Sequence, residues 1–150
     1  MDADCLIKLT KAGLKELVVK KNSIFIPEAV KREIVDAGKE KGCHDAFVVE
    51  KNVDANMITI VADSSNYLKG DQALIAHSQQ ENYDAVATDD AKLVRRLRLY
   101  GIPFILPGLI LYQLHKEREI DRKRALSALH QLEEFISEDE FSTVRLLMNS

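Results

Sequence analysis

The sequence predicts an α/β fold: a parallel central sheet of four to five strands sandwiched by helices, with a helical C-terminal extension over residues 108–150. Two observations carry this. Apolar or β-branched runs at 23–26, 57–61, 85–87 and 103–106 alternate with stretches whose apolar residues recur at helical spacing. Strands that alternate with helices pair in parallel and have both faces covered. After Pro107 the strand runs stop and only helical spacing continues.

With 150 residues, 46% of them hydrophobic and 30% charged, the chain is expected to form one soluble domain, 1–150, with a sizeable core. It has no apolar run long enough to span a membrane and no basic-then-apolar leader, so a cytoplasmic protein with no membrane partner is expected. Cys5 and Cys43 form neither a metal-ligand pair nor a disulfide framework; free thiols are expected, with Cys5 in the core. The net charge of −3 argues against broad non-specific nucleic-acid binding, so local charge must decide that question.

Only Met1 precedes Asp2, so the first strand is expected either to be very short or to draw on residues upstream. Leu6, Ile7, Leu9, Leu14, Leu17 and Val18 then mark one or two short helices with lysines on the other side. Pro27 closes the strand run at 23–26 and suits the start of the next helix, which carries Ala29, Val30, Ile34 and Val35 to a C-cap at Gly38. A further helix is expected over 43–51, and a strand over 57–61. Asp71 falls at or near the N-cap of a helix bearing Leu74 and Ile75. The strand at 85–87 delivers Thr88, Asp89 and Asp90 to the mouth of a helix whose buried stripe is Leu93, Val94, Leu97 and Tyr100, ending at Gly101. In the extension, Leu109 to Leu114 and then Ala125, Leu129, Leu132 and Ile136 continue the helical spacing.

Carboxylates thus fall at the end of a strand or the start of a helix in separate places: Asp2 with Asp4, Glu33, Asp71, and Asp89 with Asp90. In open α/β sheets ligands bind beyond the carboxyl ends of the strands. Hard cations such as Mg²⁺ and Mn²⁺ prefer oxygen ligands, and a carboxylate site for them suits phosphodiester cleavage. Other chemistries lack their residues: His44, His77, His115 and His130 show no zinc spacing, and there is no glycine-rich phosphate loop. Each histidine is expected to face solvent or to cap a local bond. Lys92, Arg95 and Arg96 share a helix face; by default such a run is solvated, but beside an acidic cleft it would hold phosphates.

The segments MDADCLIKL, IPEAVKREI, GDQALIA and VATDDAKLVRRLRLYGIPFI, in that order, resemble the successive acidic motifs of the PIN-domain ribonucleases, and the helical remainder is similar to the tails of VapC-type toxins. The resemblance implies a metal-dependent endoribonuclease, either the toxin of a toxin–antitoxin pair or an RNA-processing nuclease. It assigns catalysis to Asp2, Glu33, Asp71 and Asp90, with Asp2, Asp71 and Asp90 as ligands of Mg²⁺ or Mn²⁺. Asp4, Thr88 and Asp89 are implied as supporting groups, and Lys92, Arg95 and Arg96 as RNA contacts. Implied partners are RNA, an antitoxin protein and a second copy of the chain. Two readings compete: a catalytically degenerate module acting through its helical tail, and a haloacid-dehalogenase-like phosphatase using Asp2-Ala3-Asp4, which lacks the expected lead-in strand and Gly-Thr continuation.

Overall fold

In the computed structural model, which describes residues 1–36, 57–64 and 69–150, helices and strands alternate as the apolar spacing predicts. The expected helix over 43–51, the Gly38 cap, Cys43 and His44 lie outside the described residues. Helices α1 (Ala3–Lys11) and α2 (Lys15–Lys21) come first; Gly13, at φ +71°, makes the left-handed turn between them. Strand β1 (Phe25–Pro27) runs straight into α3 (Glu28–Lys31), which widens into a π-helical turn over Arg32–Asp36. Pro27 suits that junction because its fixed φ favours a helix start and no N–H is required of it.

Strand β2 (Thr59–Val61) pairs in parallel with β1, Phe25 opposite Thr59 and Pro27 opposite Val61. Helix α4 (Gly70–Gln80), strand β3 (Val86–Ala87), helix α5 (Ala91–Leu99) and strand β4 (Phe104–Ile105) follow, with Val86 opposite Phe104 in a second parallel ladder. Tyr100 does not complete the stripe of α5: the helix stops at Leu99, the chain turns at Gly101 with φ +66°, and Tyr100 is 55% exposed while Leu93 and Leu97 are buried.

Among the described residues the strands form two two-stranded ladders, β1 with β2 and β3 with β4. Between them stands the dipeptide Met1-Asp2. The Met1 α-amino group donates to the Phe25 carbonyl at 3.1 Å, and the Asp2 N–H donates to the Ala87 carbonyl at 3.0 Å. Beside Met1 lies a cleft of about 590 Å³, with Phe25, Tyr83, Ala85 and His77 among its walls. Burial holds the Met1 amine below its ordinary pKa.

Helices α6 (Pro107–Lys116), α7 (Arg122–Leu132) and α8 (Glu138–Met148) make up the C-terminal part. Asp121 caps α7 by accepting from the Arg124 N–H at 2.7 Å, and Ser137 caps α8 by accepting from the Glu140 N–H at 3.1 Å. Leu111, Ala125, Leu129, Leu132 and Val144 are buried in the same core cluster as Leu6, Leu9 and Leu97. At roughly 1.5–3 kcal/mol per fully buried Leu side chain, these helices contribute much of the stability. They also back the turn that carries Thr88 to Asp90.

Candidate active site

The inner half of the site is built on Thr88, fully buried where β3 ends. Its hydroxyl donates to the Asp2 carboxylate, and the same oxygen accepts from the Asp90 N–H at 3.1 Å. Each carboxylate also serves a helix. Asp2 Oδ1 accepts from the Cys5 N–H at 2.8 Å and caps α1; Asp90 Oδ1 accepts from the Leu93 N–H at 2.8 Å and caps α5. The positive ends of two helix dipoles therefore meet at the Asp2, Thr88, Asp90 group and favour negative charge there. Burial nevertheless raises the Asp2 pKa, against the lowering effects of the Thr88 hydroxyl, the Cys5 N–H and the Met1 ammonium. Asp4 stands outward, its side chain 71% exposed and 3.7 Å from Lys8.

Asp89 has a different role. Lys8 Nζ lies 2.8 and 2.7 Å from its two oxygens, with both side chains largely buried. Asp89 also neighbours the carboxyl of Glu140 from α8. Glu140 is itself buried and accepts from the Gly108 N–H at 2.9 Å, near the start of α6. Burial pushes its pKa up to about 7, although the Gly108 N–H works against this; the nearby Asp89 charge adds to the rise.

The outer half lies at the head of α4. Glu33 Oε1 accepts from the Gly70 N–H at 2.6 Å, so Glu33 serves the N-terminus that Lys69, without a side-chain cap, leaves open. A Cβ on Gly70 would lie 2.8 Å from both Glu33 Oε2 and Val30 Cγ2, so this approach of α3 to α4 requires glycine. Asp71, the second residue of α4, accepts from the Gln72 N–H at 3.0 Å and from Arg96 Nη1 at 3.1 Å. Arg96 belongs to α5, whose N-cap is Asp90, so α5 serves both halves: its first turn holds Asp90 and its second holds Asp71. Lys92 and Arg95 are exposed on the same helix.

The structure thus brings Asp2, Thr88 and Asp90 into one hydrogen-bonded group, and Glu33 and Asp71 to one helix terminus. Among the described residues no three His, Cys, Asp or Glu side chains are arranged to hold a metal ion. The donor set is nevertheless carboxylate throughout, which is the chemistry of a hard divalent cation.

Sequence reasoning did not single out Lys8 or Glu140. It also missed a buried pair, His77 Nε2 at 2.7 Å from Asp63 Oδ1. His77 was expected to face solvent or cap a local bond; instead it is buried, because Asp63 also accepts from the Ala29 N–H at 3.0 Å and locks the start of α3 to α4. The signal was present, since Asp63 is one more acid just after a strand. His115 Nδ1 lies 3.5 Å from the Ile120 carbonyl, and the His130 side chain is 70% exposed, both in line with the expectation.

Parallel ladders with helices between their strands in sequence make this an α/β protein. A family model described as a PIN domain matches residues 1–150, and the chain belongs to the PIN-domain family. No curated protein and no solved structure matches it. The PIN domain is a nuclease fold, which agrees with the acidic character of the site. Among the described residues no helix is long and apolar enough to cross a membrane.

Proposed function

We propose that the chain is a metal-dependent endoribonuclease that hydrolyses RNA phosphodiester bonds, with Asp2, Glu33, Asp71 and Asp90 as its catalytic acids. The observation that carries the reading is the Thr88 hydroxyl, which ties the carboxylate of Asp2 to the backbone of Asp90. Asp2, Asp71 and Asp90 would hold Mg²⁺ or Mn²⁺, and Glu33 would complete the acidic wall. When bound, such an ion supplies a nucleophilic water at neutral pH and Lewis-acid stabilisation of the leaving oxygen. Thr88 fixes the Asp2 carboxylate, and the caps at Cys5 and Leu93 orient the two inner acids. Lys92 and Arg95, exposed on α5, are placed to meet phosphates that the acids repel, and Arg96 joins them once released from Asp71.

Cleavage of single-stranded RNA in Mn²⁺, lost on chelation and lost in Asp90→Asn with the fold retained, is the expected result; unchanged cleavage by that variant sinks the assignment. Calorimetry with Mn²⁺ separates this from an inert interaction module, which binds no metal through Asp71 and Asp90. Hydrolysis of a generic phosphoester without RNA cleavage would instead favour the phosphatase reading. The cellular role we propose is that of a cytoplasmic toxin controlled by an antitoxin protein, acting as a homodimer on a single parallel sheet that includes Met1-Asp2. An RNA-processing nuclease is the other role for the same chemistry, and growth arrest on expression, relieved by the product of an adjacent small gene, tells them apart.

A further inference from the structure

The contact between α8 and the acidic turn has no part in the chemistry above, yet it is among the most enclosed polar groupings of the molecule. Glu140 is 6% exposed, and the Asp89 and Lys8 side chains are 8% and 14% exposed. The arrangement is built from three elements. Gly108 gives Glu140 a backbone N–H at 2.9 Å and, lacking a side chain, lets α8 approach: a Cβ there would lie 2.8 Å from Val144 Cγ2 and 3.1 Å from Glu140 Oε1. Asp89 neighbours Glu140 and is gripped through both oxygens by Lys8 of α1. A capping bond to Gly108 alone would not require Glu140 to face a second carboxyl. Lys8 offsets charge at Asp89, and burial favours the protonated form of Glu140, so the two carboxyls can sit side by side.

We infer that Glu140 is a positioning residue for the candidate active site: through Asp89 and Lys8 it couples α8 and the start of α6 to the 88–90 turn and so fixes where Asp90 stands. This rests on the nuclease reading for its consequence in catalysis, but not for the coupling itself. The next residue after Asp89 caps α5 and donates its N–H to the Thr88 hydroxyl oxygen, so slack at Asp89 passes directly to the Asp90 N–H and the Leu93 N–H. The helical tail is then part of the machinery that shapes the site, acting on Asp90 through its neighbour Asp89.

Amide hydrogen exchange tests this without reference to activity. In Glu140→Ala, exchange at Asp90 and Leu93 is expected to rise about tenfold or more relative to wild type, while Leu129 in α7 keeps its protection. Glu140→Gln keeps an acceptor for Gly108 and gains an uncharged donor for Asp89, so it is expected to restore protection at Asp90 and Leu93. Unchanged exchange at Asp90 and Leu93 in Glu140→Ala, or an equal rise at Leu129, overturns the coupling. Should Glu140→Ala fail to fold, Asp89→Ala carries the same expectation at Leu93. RNA cleavage gives a second readout, in which Glu140→Ala lowers kcat with KM little changed and Glu140→Gln recovers it. If the wild type itself cleaves no RNA, the nuclease reading fails while the exchange data still decide the coupling.

Discussion

The two halves of the acidic site are held in opposite ways. Asp2 and Asp90 are tied to a buried threonine and to two helix N-termini, in a setting where burial raises the Asp2 pKa. Glu33 and Asp71 stand at the edge, where Glu33 accepts a single backbone N–H and Asp71 shares its charge with a half-exposed arginine. The inner half is therefore part of the fold, and removing the side-chain acceptors of its acids carries a structural cost. The outer half is closer to a surface arrangement, in which Asp71 is occupied by the Arg96 guanidinium.

The largest effect that follows concerns chemistry: Asp90→Asn should lower RNA cleavage by about 10³-fold or more with little change in melting temperature, since Asn still caps α5. A smaller loss would shift the catalytic weight to the outer half. The buried side also carries a pH dependence through Glu140, whose pKa of about 7 lies above its ordinary value of 4.5. The folded state holds the extra proton, so this contribution to stability is full below about 4.5 and is lost as pH rises through about 7. It amounts to on the order of 3 kcal/mol at most, and denaturant titrations between pH 4 and 8 should show a flatter profile in Glu140→Gln. Thr88→Val, which leaves the buried Asp2 carboxylate without its hydroxyl donor, should cost about 1–3 kcal/mol. In the outer half, Gly70→Ala should cost about 1–3 kcal/mol by pushing Glu33 and Val30 away from α4. Arg96→Ala should change stability by less than about 1 kcal/mol, because its ion pair is partly exposed, while tightening Mn²⁺ binding by freeing Asp71. If Arg96→Ala proved as destabilising as Thr88→Val, the contrast between the halves would fail.

The placement of the candidate acids could be read from the chain because they fall at element boundaries. Asp2, Asp71 and Asp90 each sit at the start of a helix that apolar spacing announces, and Thr88 lies at the end of a strand that composition marks. Less legible was the division of labour within Asp89-Asp90. The family resemblance gives Asp90 the ligand's part and Asp89 a supporting one, but only the third dimension shows Asp89 turned to Lys8, 81 residues away, while Asp90 caps its own helix. Glu140 was unreadable for the same reason. On a surface helix it looks like its neighbours Glu138 and Asp139, and its burial depends on a glycine in a different helix. Asp71 was expected at or near a cap; it lies one residue into the helix, because Glu33 supplies the capping acceptor from another element.

The Met1-Asp2 dipeptide has a mechanical consequence. Each two-stranded ladder is knit along its own length, and among the described residues the backbone link from one ladder to the other runs through two hydrogen bonds, Met1 to Phe25 and Asp2 to Ala87. A force pulling β2 away from β4 would load those two bonds in series, with helix packing bearing the remainder. The molecule should yield along that seam first, separating Asp2 from Thr88 while each ladder stays whole.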